Sequence, residues 1–188
     1  MKIDRDGFPF MAIGAVPATV AALRGRRALA AGLGLAAVAL GAFFRDPDRT
    51  PDQGSVDDDV VLAPADGKVM YAGPGQSEVA PDGDWSQVSI FLSVADVHIN
   101  RAPYGGTVTG LEHRPGKFHA AFRAESAHHN ERSEITVTRT VDGRTRTVVF
   151  RQVVGVLARR VVTRVAVGDE VATGQRIGLM KFGSRMDV

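Results

Sequence analysis

The 188-residue chain contains no cysteine. That absence excludes disulfides, thiolate nucleophiles and cysteine-ligated metal sites together. A strong net charge is also missing: the formal balance is +2. No fixed-period repeat is present. The five histidines, His98, His113, His119, His128 and His129, form neither H-E-x-x-H nor another compact metal spacing, which disfavours metal catalysis. The G-x-S-x-G elbow of hydrolases is lacking as well.

What is present is unevenly distributed. Phe8 to Leu23 is apolar, Arg24-Gly25-Arg26-Arg27 interrupts, and Ala28 to Phe44 is apolar again. Each run has about 16 or 17 residues, at the lower limit for spanning a hydrocarbon core. No small-residue cleavage site precedes a polar mature start, so a removed signal peptide is not expected. Gly32, Gly34 and Gly41 allow close helix packing in the second run. One or two short membrane-associated helices are expected over residues 1–44, shallowly inserted or with a single span. The positive-inside rule puts the arginine turn in the cytoplasm, and the rest of the chain is expected on the cytoplasmic side too. A buried, soluble helical pair is the alternative.

Residues 45–58 read as a polar, proline-containing linker carrying Asp46, Asp48, Asp52, Asp57 and Asp58. Arginines crowd the later strands (Arg139, Arg144, Arg146, Arg151, Arg159, Arg160, Arg164). Such a face suits an anionic lipid surface or nucleic acid, or is a solvated sheet face.

From residue 59 onward the pattern is mainly β, of the α+β class, and predicts a single β-rich sandwich or barrel-like domain. Strands are expected at Val60–Leu62, Lys68–Ala72, Ser86–Val94, Gly106–Leu111, Ile135–Thr140, Thr145–Val154, Val161–Val167 and Arg176–Lys181. Asp142-Gly143 marks a tight hairpin whose two central residues take positive φ. Phe118–His129, rich in alanine and without alternation, reads as a helix or a long active-site loop.

Taken singly, the candidate chemical residues are unremarkable. Asp66 in Pro64-Ala65-Asp66-Gly67 is a turn residue. His98 follows a strand and is stopped by Pro103. Gly183-Ser184 after a strand is an ordinary turn or a site of backbone self-cleavage. Together they carry more weight. Ala63-Pro64-Ala65-Asp66-Gly67-Lys68-Val69, Asp96-Val97-His98-Ile99-Asn100-Arg101-Ala102-Pro103, Asn130-Glu131-Arg132, Ala158-Arg159-Arg160, Gly174-Gln175-Arg176-Ile177-Gly178 and Phe182-Gly183-Ser184-Arg185 occur in this order. This series resembles the phosphatidylserine decarboxylase family, short class, over residues 42–188. In the long class a second histidine follows the first by three residues; here that position is Arg101.

The resemblance implies a lyase, made as a zymogen, that decarboxylates phosphatidylserine to phosphatidylethanolamine in phospholipid biosynthesis. Ser184 Oγ attacks the Gly183 carbonyl, the amide becomes an ester, and β-elimination and hydrolysis leave a covalent pyruvoyl group where Ser184 stood. By similarity His98 is the base, Asp66 orients it, and no metal takes part. The pyruvoyl carbonyl then forms a Schiff base with the substrate amine and accepts the electrons released with CO2, and His98 is the nearest reprotonating acid. Arg101 and Arg185 are candidates for the lipid phosphate.

The partners implied are the phospholipid, the membrane, and the protein's own large β and small α fragments, with a homodimer compatible and no nucleic acid. Family precursors continue past the Gly–Ser pair by at least one more strand. The decarboxylase domain, 59–188, is therefore expected to be truncated at its C-terminus, leaving Ser184–Val188 beyond the cut.

Three other readings remain. Archaetidylserine presents the same phosphoserine. A membrane-tethered biotinyl/lipoyl-like barrel is suggested by Gly168-Asp169-Glu170-Val171, Gly174-Gln175 and Lys181. A Ser-His-Asp hydrolase would keep Ser184 intact.

Overall fold

The structure is a computed structural model and describes residues 2–49, 57–156, 160–181 and 183–188. Half of the expected linker (residues 50–56), the Ala158-Arg159 pair and Phe182 lie outside the described residues. The chain divides into two compact units between Asp48 and Arg49, inside the segment read as a linker.

The first unit is a helical hairpin. A short strand β1 (Lys2–Ile3) and a 3-10 turn at Arg5–Gly7 lead into α1 (Phe8–Leu23). α2 (Arg27–Phe43) returns, and β2 (Arg45–Asp46) pairs antiparallel with β1. The helices follow the two apolar runs to within a residue. Arg24-Gly25-Arg26 is the turn, far from the end where the chain exits.

Close approach uses small residues, but not all of those expected. A Cβ on Gly14 would sit 3.0 Å from that of Ala37, and Gly41 meets the Met11 side chain, whereas Gly32 and Gly34 face open space. The large apolar side chains point outward: Ile13, Val16, Leu23, Leu35 and Val38 are all exposed. A soluble helical pair would reverse this arrangement.

The second unit is a two-sheet sandwich. The large sheet contains β3 (Lys68–Pro74), β4 (Ser86–Leu92), β6 (Gly106–Arg114), β7 (Arg132–Val141), β8 (Arg144–Val154), β10 (Glu170–Val171) and β12 (Ser184–Asp187). Its order is β10-β6-β7-β8-β12-β4-β3, antiparallel throughout. The small sheet is β5 (Ile99–Arg101), β11 (Arg176–Met180) and β9 (Val161–Thr163), in the order β5-β11-β9. The sheets do not close into a barrel.

The alternation read from the sequence places Ile90, Leu92, Ile135, Val137, Phe150 and Met186 on the inner face. They pack there with Ile177 and Met180 from the small sheet. Full burial of such side chains stabilises by about 1.5–3 kcal/mol each.

The β7–β8 turn is the one expected, with Asp142 at φ 49 and Gly143 at φ 74. Elsewhere the sequence reading needs correction. Val60–Leu62 forms no strand: its register is taken by a loop contact, Leu62 N–H donating to Pro103 O at 2.9 Å. The strand expected over Val161–Val167 stops at Thr163 because the turn at Gly168-Asp169 folds back early, with Ala166 N–H donating to Asp169 Oδ2 at 2.8 Å. Phe118–His129 is mostly irregular and ends in one helical turn, α3 (Ser126–His129).

The largest difference concerns β12. Residues Ser184–Asp187 themselves form a strand, in the middle of the large sheet. Ser184 pairs with Val154 on one side and Leu92 on the other, and Asp187 with Arg151 and Ser89. Four residues are too few for periodicity to reveal a strand, because their pairing is supplied wholly by neighbours distant in sequence.

Candidate active site

The site forms where the chain twice crosses between sheets. After β4, a tight turn reverses it: Asp96 Oδ2 accepts from both the Ser93 N–H and Oγ–H, each at 2.7 Å. The chain then enters β5 in the other sheet, with His98 at the crossing and only 1% exposed. The second crossing is Lys181–Gly183, from the end of β11 to the start of β12. Gly183 is held at φ +72, a left-handed conformation suited to glycine.

The crossings touch. The Gly183 N–H donates to His98 Nε2 at 3.1 Å, and His98 Nδ1 lies 3.0 Å from the Asp96 carbonyl oxygen. A carbonyl only accepts, so Nδ1 carries the proton and the Nε2 lone pair faces Gly183-Ser184, accepting from the Gly183 N–H. One residue on, Ser184 is fully buried, and its Oγ has no hydrogen-bond partner among the described residues. A buried hydroxyl without a partner costs about 1–3 kcal/mol, and a reactive role is one of the reasons for which such a group is retained.

Two further residues shape the site, neither of them assigned a role from sequence. A Cβ on Gly155, just past β8, would lie 2.4 Å from the Gly183 carbonyl oxygen and 3.2 Å from its carbon, so the Gly183 carbonyl rests on a bare Cα. Asn130 is fully buried and pins the preceding loop to the same strand end. Its Nδ2 donates to Val154 O and His119 O, each at 2.8 Å, and its Oδ1 accepts from His119 N–H at 2.8 Å. The Asn130-Glu131-Arg132 motif had flagged the position. Nothing in the sequence near Gly155 flags that glycine.

Of the six predicted site residues, the structure brings together His98, Gly183 and Ser184. Asp66 and Arg101 lie in a separate cleft of about 130 Å³, between Arg49, Val97 and Ile99. The Asp66 carboxylate accepts from Arg49 Nη2 at 2.6 Å, and the Arg101 Nη1 donates to Gly174 O at 3.1 Å. The turn holding Asp66 is nevertheless tied to the His98 segment, since Arg101 N–H donates to Pro64 O at 2.9 Å.

Arg185 follows Ser184 in β12 and therefore points to the opposite, outer face. There it is buried, with Nε donating to Asp187 Oδ1 at 2.6 Å and Nη2 to Ser89 Oγ at 3.0 Å. Nearby Arg151 holds the covering segments through Val79 O at 2.9 Å and Ala127 O at 2.6 Å, and its burial pushes its pKa down. Among the described residues, no group of three or more His, Asp or Glu is placed to hold a metal ion.

Beside the junction is an apolar cleft of about 190 Å³. Phe91, Val94, Ala120, Ala121, Phe122, Val156 and Gly183 itself line it. A mainly β sandwich with a backbone junction set against a buried histidine and an unpartnered serine defines the class of protein to seek.

Comparison with known proteins narrows this. The profile of the family described as phosphatidylserine decarboxylase matches residues 38–188. A phosphatidylserine decarboxylase proenzyme of Solibacter usitatus is 44% identical over 189 residues, covering 100% of this chain and 85% of the relative. Proteins of the same name from Symbiobacterium thermophilum and Mycolicibacterium smegmatis are 45% and 42% identical. They cover 97% and 96% of this chain and 81% and 76% of their own lengths. The chain belongs to the phosphatidylserine decarboxylase family and is an enzyme of the decarboxylase class.

Proposed function

We propose that this chain cuts itself between Gly183 and Ser184 and, with the pyruvoyl group so formed, decarboxylates phosphatidylserine to phosphatidylethanolamine. The observation that carries this reading is the contact between His98 Nε2 and the Gly183 N–H at 3.1 Å, beside a buried and unpartnered Ser184 Oγ.

A serine hydroxyl needs a base before it attacks. His98 offers an unprotonated Nε2 at the dipeptide and a Nδ1–H fixed on the Asp96 carbonyl, so the ring is held in the basic tautomer. As Ser184 Oγ bonds to the Gly183 carbonyl carbon, its proton passes to Nε2, whose lone pair gives up the Gly183 N–H to receive it. The C–N bond then breaks and Ser184 N takes up a proton, giving an ester. Loss of the Ser184 α-proton expels the Gly183 carboxylate. Water then releases ammonia and leaves the ketone at position 184.

The absence of a side chain on Gly155 supports the attack, because the carbonyl carbon remains approachable from that side. Asp66 is assigned an orienting role through its turn, which β5 anchors next to His98. Arg185 is assigned to holding β12 rather than to binding phosphate, since Asp187 and Ser89 already engage it. Arg101 stays the candidate for the anionic head group.

The residues fit a pyruvoyl group at 184: the position is buried, at a strand start, with His98 alongside. Once formed, that group supplies an electron sink for the departing CO2. His98 then holds a proton on the adjacent imidazole and can return it to the substrate α-carbon. The apolar helix Arg5–Leu23, long enough by length and composition to cross a membrane, supports a bilayer location. A shallowly inserted hairpin, with both the arginine turn and the chain exit on one face, is the arrangement that keeps the catalytic unit on the cytoplasmic side.

Intact-mass measurement tests the reading. The wild-type chain should give two fragments, the smaller blocked by a group that borohydride reduces. Ser184→Ala should stay a single chain, and His98→Ala should mature by a factor of about 10²–10⁴ more slowly. An uncut wild-type chain that still decarboxylates the lipid would overturn it.

A further inference from the structure

The apolar cleft at Gly183 is the mouth of a larger exposed patch. Phe122 is 63% exposed, Val156 54% and Val94 51%, and Phe118 stands nearby in the same connecting loop. Phe122 is propped edge-on against Phe91, ring centroids 5.9 Å apart, so its ring is presented rather than folded away. The loop reads Lys117-Phe118-His119-Ala120-Ala121-Phe122-Arg123, two aromatic rings bracketed by two exposed basic residues. Arg123 shares its charge with Glu125 at 3.4 Å, while Lys117 adds a further cation. The loop is fixed from behind by Asn130 and by Ser126, whose Oγ donates to Ala121 O at 3.0 Å.

Exposed apolar side chains in a fixed loop, bracketed by cations, match the chemistry of an anionic phospholipid interface. Rings enter the acyl boundary while Lys and Arg reach the phosphates. We infer that the 117–123 loop, with Val94 and Val156, is a bilayer-docking surface that seats the mouth of the Ser184 site on an anionic membrane. This contact would be separate from any made by the N-terminal helices. It would let a lipid head group reach the junction while its tails stay in the apolar phase. Only the catalytic arm of the test below rests on the proposed decarboxylation.

The chain has no cysteine, so single substitutions can carry a nitroxide without background. Full-length Phe118→Cys and Val156→Cys, with Arg144→Cys at the β7–β8 tip as reference, would be labelled in vesicles of mixed phosphatidylcholine and phosphatidylserine. Labels at 118 and 156 should be reached by oxygen and shielded from an aqueous nickel reagent, with the reverse at 144. In the catalytic arm, Phe122→Ser/Val156→Ser should lose roughly tenfold or more rate on vesicles beyond any loss on dispersed short-chain phosphatidylserine.

Labels at 118 and 156 that remain open to nickel overturn the inference. So does shielding with concentration-dependent spin–spin broadening, which would identify a second copy of the chain as the occupant. An equal rate loss on both substrates overturns it too. If the wild type neither cuts itself nor decarboxylates, the proposed function fails, and the label depths still decide the docking surface.

Discussion

Gly155 lies directly against the carbonyl of Gly183: a Cβ at position 155 would come within 2.4 Å of that oxygen, closer than real Cβ contacts allow. The contact joins the end of β8 to the crossing that feeds β12, so whatever occupies position 155 sets where the Gly183 carbonyl sits. Gly155→Ala should therefore push the carbonyl away from the Ser184 hydroxyl. We expect self-cleavage to slow roughly a hundredfold, since a displacement of about 1 Å at a reacting centre has that cost. Fragment masses over time would measure it, and circular dichroism would report whether the sandwich still forms. Gly143→Ala, at a turn remote from the junction, should leave the cleavage rate unchanged; equal slowing in both variants would assign the effect to general destabilisation.

Asp66 gives a graded expectation. Its carboxylate is on Arg49 and its turn is bonded to β5, so the orienting role proposed for it would reach His98 through the backbone and through charge. Asp66→Asn preserves the turn and removes the charge. Cleavage should slow by less than in His98→Ala, and Arg49→Ala should have a smaller effect still, because an exposed ion pair contributes about 0–1 kcal/mol. Rates of precursor loss in the three variants would rank them. If Asp66→Asn equals His98→Ala, Asp66 makes a direct contact with the imidazole during the reaction.

What the sequence disclosed follows the range of the forces involved. Both helices were legible because apolar runs bounded by arginine or by Asp46 are local signals. The long strands β6, β7 and β8 were legible through alternation, and the Asp142-Gly143 turn through its conformational demand. β5, β10 and β12 were not, since strands of two to four residues are defined by partners far away in sequence. The site divides in the same way. Asp66, His98 and Ser184 stood out through motifs that resemble a family. Gly155 is an unremarkable glycine between two valines, and its meaning exists only where Gly183, 28 residues later, folds onto it. The carbonyl partner of His98 Nδ1 is a backbone atom, which no pattern of side chains can announce.

The two-unit organisation leads to another expectation. The sandwich of 49–188 has its own core, built without any residue of the helical hairpin. A chain lacking residues 1–48 should therefore fold and cut itself at a rate within about threefold of the full chain, because the junction is assembled wholly from β4, β5, β8, β11 and β12. It should also float with vesicles much less strongly, having lost the outward-facing Ile13, Val16, Leu23 and Leu35. Flotation and mass analysis on one preparation would check both. Failure of the shortened chain to cut would mean that the hairpin contributes to the site.

Arg185 and Asp187 are buried on the outer face of β12, with side chains 5% and 1% exposed and Nε to Oδ1 at 2.6 Å. Each charge is offset by the other, Ser89 Oγ accepts from Arg185 Nη2, and Asp187 Oδ2 is buried without a partner among the described residues. Asp187→Ala strands a buried guanidinium and should cost about 3–5 kcal/mol. Arg185→Met/Asp187→Leu removes both charges while keeping volume, and should cost less than the single variant. Urea midpoints of the uncut Ser184→Ala chain would give both values without interference from cleavage. The comparison has a consequence for catalysis, because β12 alone joins β4 to β8, and a self-cut chain would hold it by strand pairing, by Met186 in the core and by this ion pair. Loss of the Ser184–Val188 fragment on dilution of cut Asp187→Ala, with retention in the wild type, would establish that the buried pair keeps the reactive residue in the sheet after the backbone is broken.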